Sequence, residues 1–283
     1  MSLSADASAW VNQKLAPLFV RYGRGLTLAG ADLPRRRVRL GTRHGRIPAW
    51  VYEAPAARGT HVHLHGGAFM MRYPSMDDFL ARFVAAEAGC RVVLPDYRVA
   101  PQVRYPVAHE QVHDAVLWAA GEWDEPVSVG GFSSGGNLAA SAALQARDAG
   151  SVTPVLQVLG VPSTDVADDA KRTVTGARSM ITPGLIASVR QTYFTDASRR
   201  AEAYASPLLA GRLEGLPPAL VLTAEHDLLR AEGDAYAARL AEAGVATEHH
   251  VVPHADHYFL SSPEQARPWL DLVAGRIREA LRG

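Results

Sequence analysis

The sequence predicts an α/β protein with helices on both faces of a mainly parallel sheet. Three observations carry this. From about residue 45 short apolar runs alternate with longer segments of helical period, the runs are rich in valine and leucine, and Gly, Pro or Asp bound most of them. The predicted strands are 47–53, 60–64, 91–95, 127–130, 155–159, 219–223 and 247–252. The predicted helices between them are 76–88, 107–123, 136–149, 230–243 and 263–281.

Two stretches break the alternation. Residues 1 to about 40 hold an amphipathic run through Trp10, Val11, Leu15, Leu18 and Phe19, followed by Arg35-Arg36-Arg37. Residues 165 to about 210 separate two strands by far more than an ordinary connection and carry helical signals around 183–194. Both are expected to form a cap over one end of the sheet within a single domain. No internal repeat or low-complexity linker argues for a second one.

Composition excludes several classes of function. The 283 residues are 48% hydrophobic and 20% charged, enough apolar material to bury a large sheet. Lys plus Arg equals Asp plus Glu at 29 each, with no basic stripe to follow a phosphate backbone, so nucleic acid is not an expected partner. The single Cys90 cannot close an internal disulfide and reads as a small buried thiol between a helix and a strand. No stretch approaches the roughly 18 apolar residues of a membrane span, and the N-terminus lacks a basic segment followed by an apolar core. A cytoplasmic protein is expected.

The sharpest motif is Gly131-Phe132-Ser133-Ser134-Gly135, set between the strand 127–130 and an alanine-rich helix. A tight strand-to-helix turn requires small residues at Gly131 and Gly135, because neighbouring backbone would collide with a side chain. It lifts the Ser133 hydroxyl clear of the sheet at a helix N-terminus, which favours the negative charge of acyl transfer. Upstream, a strand stops at His65-Gly66-Gly67-Ala68-Phe69, where backbone N–H groups can turn towards a developing oxyanion. Gly67, Ala68 and Ser134 are the candidate donors. His61, His63 and His65 share one face of this strand, so metal binding is the rival reading. Hydrogen-bonded core histidines fit better, since no acidic residue with ligand spacing follows in the loop; neither metal nor cofactor is expected.

Asp227 follows the strand 219–223, and His257 follows 247–252, which gives the order Ser, Asp, His. The chemistry needs an imidazole to move the serine proton and a carboxylate to hold its tautomer. His254 lies three residues before His257, and Glu225 or Asp256 could supply the carboxylate.

These motifs resemble the hormone-sensitive-lipase family of α/β-hydrolases, the bacterial family IV esterases, from about His61 to Phe259. His65-Gly66-Gly67-Ala68-Phe69 is similar to its H-G-G-G loop, Asp96-Tyr97-Arg98-Val99-Ala100-Pro101 to its D-Y-R-L-A-P segment, and Gly131-Phe132-Ser133-Ser134-Gly135-Gly136 to its G-D-S-A-G-G turn. Ser206-Pro207-Leu208-Leu209, Leu216-Pro217-Pro218-Ala219 and the stretch from Asp227 to Gly233 continue the likeness, and His257-Tyr258-Phe259 stands for H-G-F.

The resemblance implies the α/β-hydrolase fold, with Ser133 as nucleophile, Asp227 as acid and His257 as base. It implies an oxyanion hole around Gly66, Gly67, Ala68 and Ser134, and it allows a homodimer. Three departures stand out. Ala68 replaces the third glycine, which costs about 1 kcal/mol if its φ is positive. Phe132 replaces an acidic residue, and Gln102 replaces a glutamate. Asp96, Tyr97 and Arg98 are read as structural.

The expected activity is hydrolysis of short or medium acyl esters through an acyl-enzyme. Phe69, Phe132, Leu185, Val189 and Tyr193 are candidate pocket residues, with Ile186 beside them. A lactone hydrolase, amidase or formamidase would use the same groups. A non-catalytic small-molecule receptor would be expected to lack the base or the nucleophile.

Overall fold

The computed structural model describes residues 3–20, 28–168, 179–261 and 263–283. Eight strands form one sheet: β1 (Arg35–Thr42), β2 (Gly45–Glu53), β3 (Thr60–Leu64), β4 (Arg91–Pro95), β5 (Val127–Phe132), β6 (Gln157–Gly160), β7 (Ala219–Ala224) and β8 (Thr247–Val252). Their order is β1-β2-β4-β3-β5-β6-β7-β8. The β1–β2 and β2–β4 pairs are antiparallel and the others parallel.

Side chains alternate across the sheet and build two cores. Val62, Leu64, Val129, Leu159 and Val221 pack with α3 (Val107–Trp123), α4 (Ser134–Ala149) and α6 (Arg230–Glu242). Val92, Leu94, Val158, Leu220 and Leu222 pack on the other face with α2 (Asp78–Ala88) and α7 (Pro263–Arg282). Phe83 on α2 is fully buried, as are Leu270 and Ile277 on α7. Each such side chain contributes about 2 to 3 kcal/mol of transfer free energy. Cys90 lies buried between α2 and β4, and burial pushes its thiol up to about 12.

The first part of the chain departs from expectation. Residues 35–40, assigned to the cap, are part of edge strand β1, with Arg35 opposite Tyr52 and Leu40 opposite Ile47. Only Leu40 is buried in this strand, so the period-two apolar signal is absent. The arginines instead lie over aromatic rings, Arg35 at 4.4 Å and Arg37 at 5.5 Å from Trp50. Charge along a sheet edge also opposes pairing with another chain.

Helix α1 (Leu3–Phe19) packs against α5 (Pro183–Thr192). An ion pair of Asp6 with Arg104 at 2.6 Å ties α1 to the body. Gln102, the residue standing for a glutamate, bonds Gln13 at 2.7 Å. The expected cap residues 21–27 and 169–178 lie outside the described residues.

Candidate active site

The turn after β5 holds Ser133 at φ +58 and ψ −121, a sparsely populated conformation costing about 1 to 3 kcal/mol. Its surroundings enforce it. A Cβ on Gly131 would lie 2.4 Å from the Leu64 carbonyl oxygen, and one on Gly135 only 1.9 Å from the same atom. The Ser133 amide donates to the Gly160 carbonyl at 2.8 Å, and its carbonyl accepts from Asn137 at 3.1 Å.

Leu64 ends β3, so the same contact presses the glycine loop against the serine. A Cβ on Gly66 would lie 3.6 Å from that of Ser133. The loop spends its carbonyls on the body and leaves its amides over. Gly67 O accepts from Met70 and Met71, Phe69 O accepts from Ala100, and the Tyr97 hydroxyl donates to His65 O at 2.5 Å while its ring stacks on His65. The amides of Gly67, Ala68 and Ser134 donate to no acceptor among the described residues. Ala68 has φ +54, the strained case anticipated for an alanine there, and Phe69 shares it at φ +56. Phe69 is held by a parallel stack on Tyr193 and an edge contact with Phe194, at 5.1 and 5.0 Å.

Beyond β7 and β8 the carboxylate and imidazole meet. His257 Nδ1 lies 2.7 Å from Asp227 Oδ2, with both side chains buried, and Asp227 Oδ1 accepts from the Leu229 amide at 3.0 Å. The rivals are engaged elsewhere. Glu225 accepts from the His254 amide at 2.6 Å, and the His254 side chain is 90% exposed. Asp256 accepts from the Met180 amide and the Ser179 hydroxyl, which fastens the start of the segment leading to α5. Ser133 and His257 line one cavity, yet no hydrogen bond joins them among the described residues. Such bonds are commonly loose without substrate and tighten in the reacting complex.

The two histidines of β3 and the one just after it have separate partners. His61 bonds Ser128 at 2.9 Å, His63 Nε2 bonds Asp77 at 3.0 Å, and His65 Nδ1 bonds the Gly66 carbonyl at 2.6 Å. Burial holds the His61 and His65 imidazoles below their ordinary range. The histidines of β8 likewise have their own partners, His249 bonding Thr223 and His250 bonding Glu248. Among the described residues, the one group of three such side chains whose ligand-type atoms all lie within 4.8 Å of one another is Glu225, His226 and His254, on the partly exposed rim.

The main cavity has a volume of about 390 Å³. Gly66, Gly67, Ala68, Ser133 and His257 line one part of it, and Phe132 and Leu185, two of the residues the sequence offered for the pocket, line it as well. A second cavity of about 40 Å³ behind Ala68 is lined by Phe69, Leu185, Ile186 and Val189. Tyr193 lines neither. It is fully buried, its hydroxyl bonded to the Ala108 amide and His109, because a core stripe and a lining stripe share one helical period.

Sequence reasoning missed most of the cavity wall. Ala9, Asn12, Gln13 and Ala16 of α1 face it, whereas Trp10, Val11, Leu15 and Leu18 are exposed. Met70, Met71, Met76 and Met180 also line it, as does Asp77. The signal for Met70, Met71 and Met76 was their clustering after the glycine loop, which Met180 does not share.

A serine lifted on a strained turn, beside unclaimed amides and a buried carboxylate–imidazole pair, defines a serine hydrolase. A family model for the alpha/beta hydrolase fold matches residues 61–261. The chain is 32% identical over 248 residues to an arylesterase of Saccharolobus solfataricus, covering 83% of this chain and 80% of that one. It is 36% identical over 232 residues to the carboxylic ester hydrolase LipN of Mycobacterium tuberculosis, covering 77% and 62% of the two chains. Among solved structures it is similar to EstE1, a thermostable carboxylesterase from a metagenomic library, with a TM-score of 0.86, 29% identity and 99% of each chain covered. The chain belongs to the α/β hydrolases, in the hormone-sensitive-lipase family of bacterial family IV esterases, and is a serine carboxylesterase.

Proposed function

We propose that Ser133 attacks the carbonyl carbon of a short or medium acyl ester while His257 takes its proton through Nε2. Asp227, bonded to Nδ1, fixes the tautomer and stabilises the imidazolium. The amides of Gly67, Ala68 and Ser134 receive the oxyanion, with Gly66 shaping the loop; such donors are worth about 3 kcal/mol each. His257 then passes the proton to the leaving alcohol, and water releases the acyl group by the same steps in reverse. The observation that carries this reading is the 2.7 Å Asp227–His257 bond on the cavity that Ser133 also lines.

Helices α1 and α5 act as the cap, since both contribute to the cavity wall. A cytoplasmic location is part of the reading, supported by the single buried thiol. No helix among the described residues is long and apolar enough to cross a membrane. So is a homodimer, for which β8 leaves one sheet edge without a partner strand among the described residues. A ladder of p-nitrophenyl esters, with Ser133→Ala as control and fluorophosphonate labelling in parallel, tests the chemistry. Hydrolysis that survives in Ser133→Ala would overturn it.

A further inference from the structure

The cavity wall is apolar around Met76, Leu80 and Phe132, yet Asp77 stands among them. Its side chain is 9% exposed and the His63 ring beside it 4%. A carboxylate can only accept, so the 3.0 Å contact is His63 Nε2–H donating to Oδ2. Oδ1 accepts from no donor among the described residues. Because Asp77 lines the cavity, its remaining exposure opens onto substrate space.

Structural duties do not account for this carboxylate. Asp77 occupies the N-cap position of α2, where an aspartate side chain would ordinarily accept from the second or third helical amide. It makes no such bond. A 3-10 turn, Pro74–Asp77, runs directly into the helix and the Asp78 amide donates to the Ser75 carbonyl, so no cap is asked of Asp77; its side chain turns to His63 and the cavity, placing a carboxylate oxygen in an otherwise apolar wall. A leucine or methionine would complete that wall more cheaply. His63 serves the same arrangement, because its one side-chain hydrogen bond among the described residues orients this carboxylate.

We propose that the Asp77–His63 pair is a polar recognition site inside the substrate cavity, selecting esters that carry a hydrogen-bond donor, a hydroxyl or a protonated amine, on one of their two arms. Asp77 Oδ1 accepts from that donor, and His63 holds the carboxylate in place. The site rests on the esterase reading and adds the substrate class to it. A hydrogen bond to a buried carboxylate discriminates against an analogue lacking the donor, because the acceptor is then left dry and unpaired. The expected preference in kcat/KM is about tenfold to a hundredfold.

The test uses two sets of matched esters. One varies the acyl arm: p-nitrophenyl hexanoate, 6-hydroxyhexanoate and 6-aminohexanoate. The other varies the alcohol arm: acetates of hexanol, hexane-1,6-diol and 6-aminohexanol. In at least one set the donor-bearing ester should be preferred about tenfold or more, and Asp77→Leu should erase the preference. Asp77→Asn keeps an oxygen acceptor and the wall's shape, so it should retain the preference for hydroxyl and lose that for amine. If Asp77→Leu fails to fold, by circular dichroism, the hydroxyl-to-amine ratio of Asp77→Asn decides.

Matched esters cleaved within about twofold of one another in both sets would overturn the proposal, as would ratios unmoved in folded Asp77 variants. Failure to cleave any ester, with Ser133 unlabelled by fluorophosphonate, would strike the esterase reading itself.

Discussion

Gly135→Ala tests whether the serine turn and the oxyanion loop are one packed object. The added Cβ would sit 1.9 Å from the Leu64 carbonyl oxygen and 2.7 Å from that of His65, and real Cβ contacts essentially never fall below 3.0 Å. Both opposing atoms are backbone, so no side chain can rotate away. The end of β3 and the start of α4 must separate by about 1 Å or more, an overpacking cost of roughly 3 kcal/mol. The same displacement opens the gap between Ser133 and the loop amides, and a misplacement of about 1 Å can cost about a hundredfold in rate. Urea unfolding should therefore give a lower midpoint at unchanged slope, and kcat/KM on p-nitrophenyl butyrate should fall about a hundredfold. Gly121→Ala on α3 is the matched control. Nothing lies within 4 Å of its added Cβ, and helix propensity makes it more stable by up to about 1 kcal/mol. A Gly135→Ala protein within about 0.5 kcal/mol of the parent and fully active would refute the reasoning.

Asp227→Asn should leave the fold intact and lower kcat on the order of 10⁴-fold, because an amide favours the wrong imidazole tautomer; a loss below about tenfold would return the acid's role to another carboxylate. Tyr193→Phe should lower stability by about 1 to 2 kcal/mol through loss of the bonds to the Ala108 amide and His109, with no change in acyl preference. Leu185→Ala should shift that preference towards longer chains, which an acyl ladder would read, since Leu185 lines both cavities. Burial lowers the His109 imidazole to about 3, so between about pH 6.5 and 3 the unfolded chain binds a proton that the native state refuses. This contribution to stability is complete above about pH 6.5 and lost on acidification, about 2 kcal/mol by pH 5. The stability difference between pH 7 and pH 5, read by urea unfolding, should shrink by about 2 kcal/mol in His109→Asn, the remainder belonging to His61 and His65, which burial lowers in the same sense.

The parts of the fold written in local chemistry were legible in the sequence. Buried parallel strands such as β4 and β7 read as apolar runs, and the serine turn announced itself through glycines that backbone contact makes obligatory. Strand β1 was hidden because its arginines satisfy a sheet edge rather than a core. Helical period located the apolar stripe of α1 but could not say which side faces a cavity: the stripe of Trp10, Val11, Leu15 and Leu18 looks outward while small and polar residues look in. The Asp77–His63 contact joins residues fourteen apart on two different elements, so nothing near either residue foretold it.

Four thioether side chains in the cavity wall have a consequence of their own. Methionine is unbranched and polarisable, so a surface built from it can refit itself around ligands of different outline at little cost. Such a wall favours breadth of acceptance over rigid exclusion. It is also chemically soft: peroxide converts each thioether to a polar, chiral sulfoxide, and the accommodating surface becomes wet and misshapen until a reductase restores it.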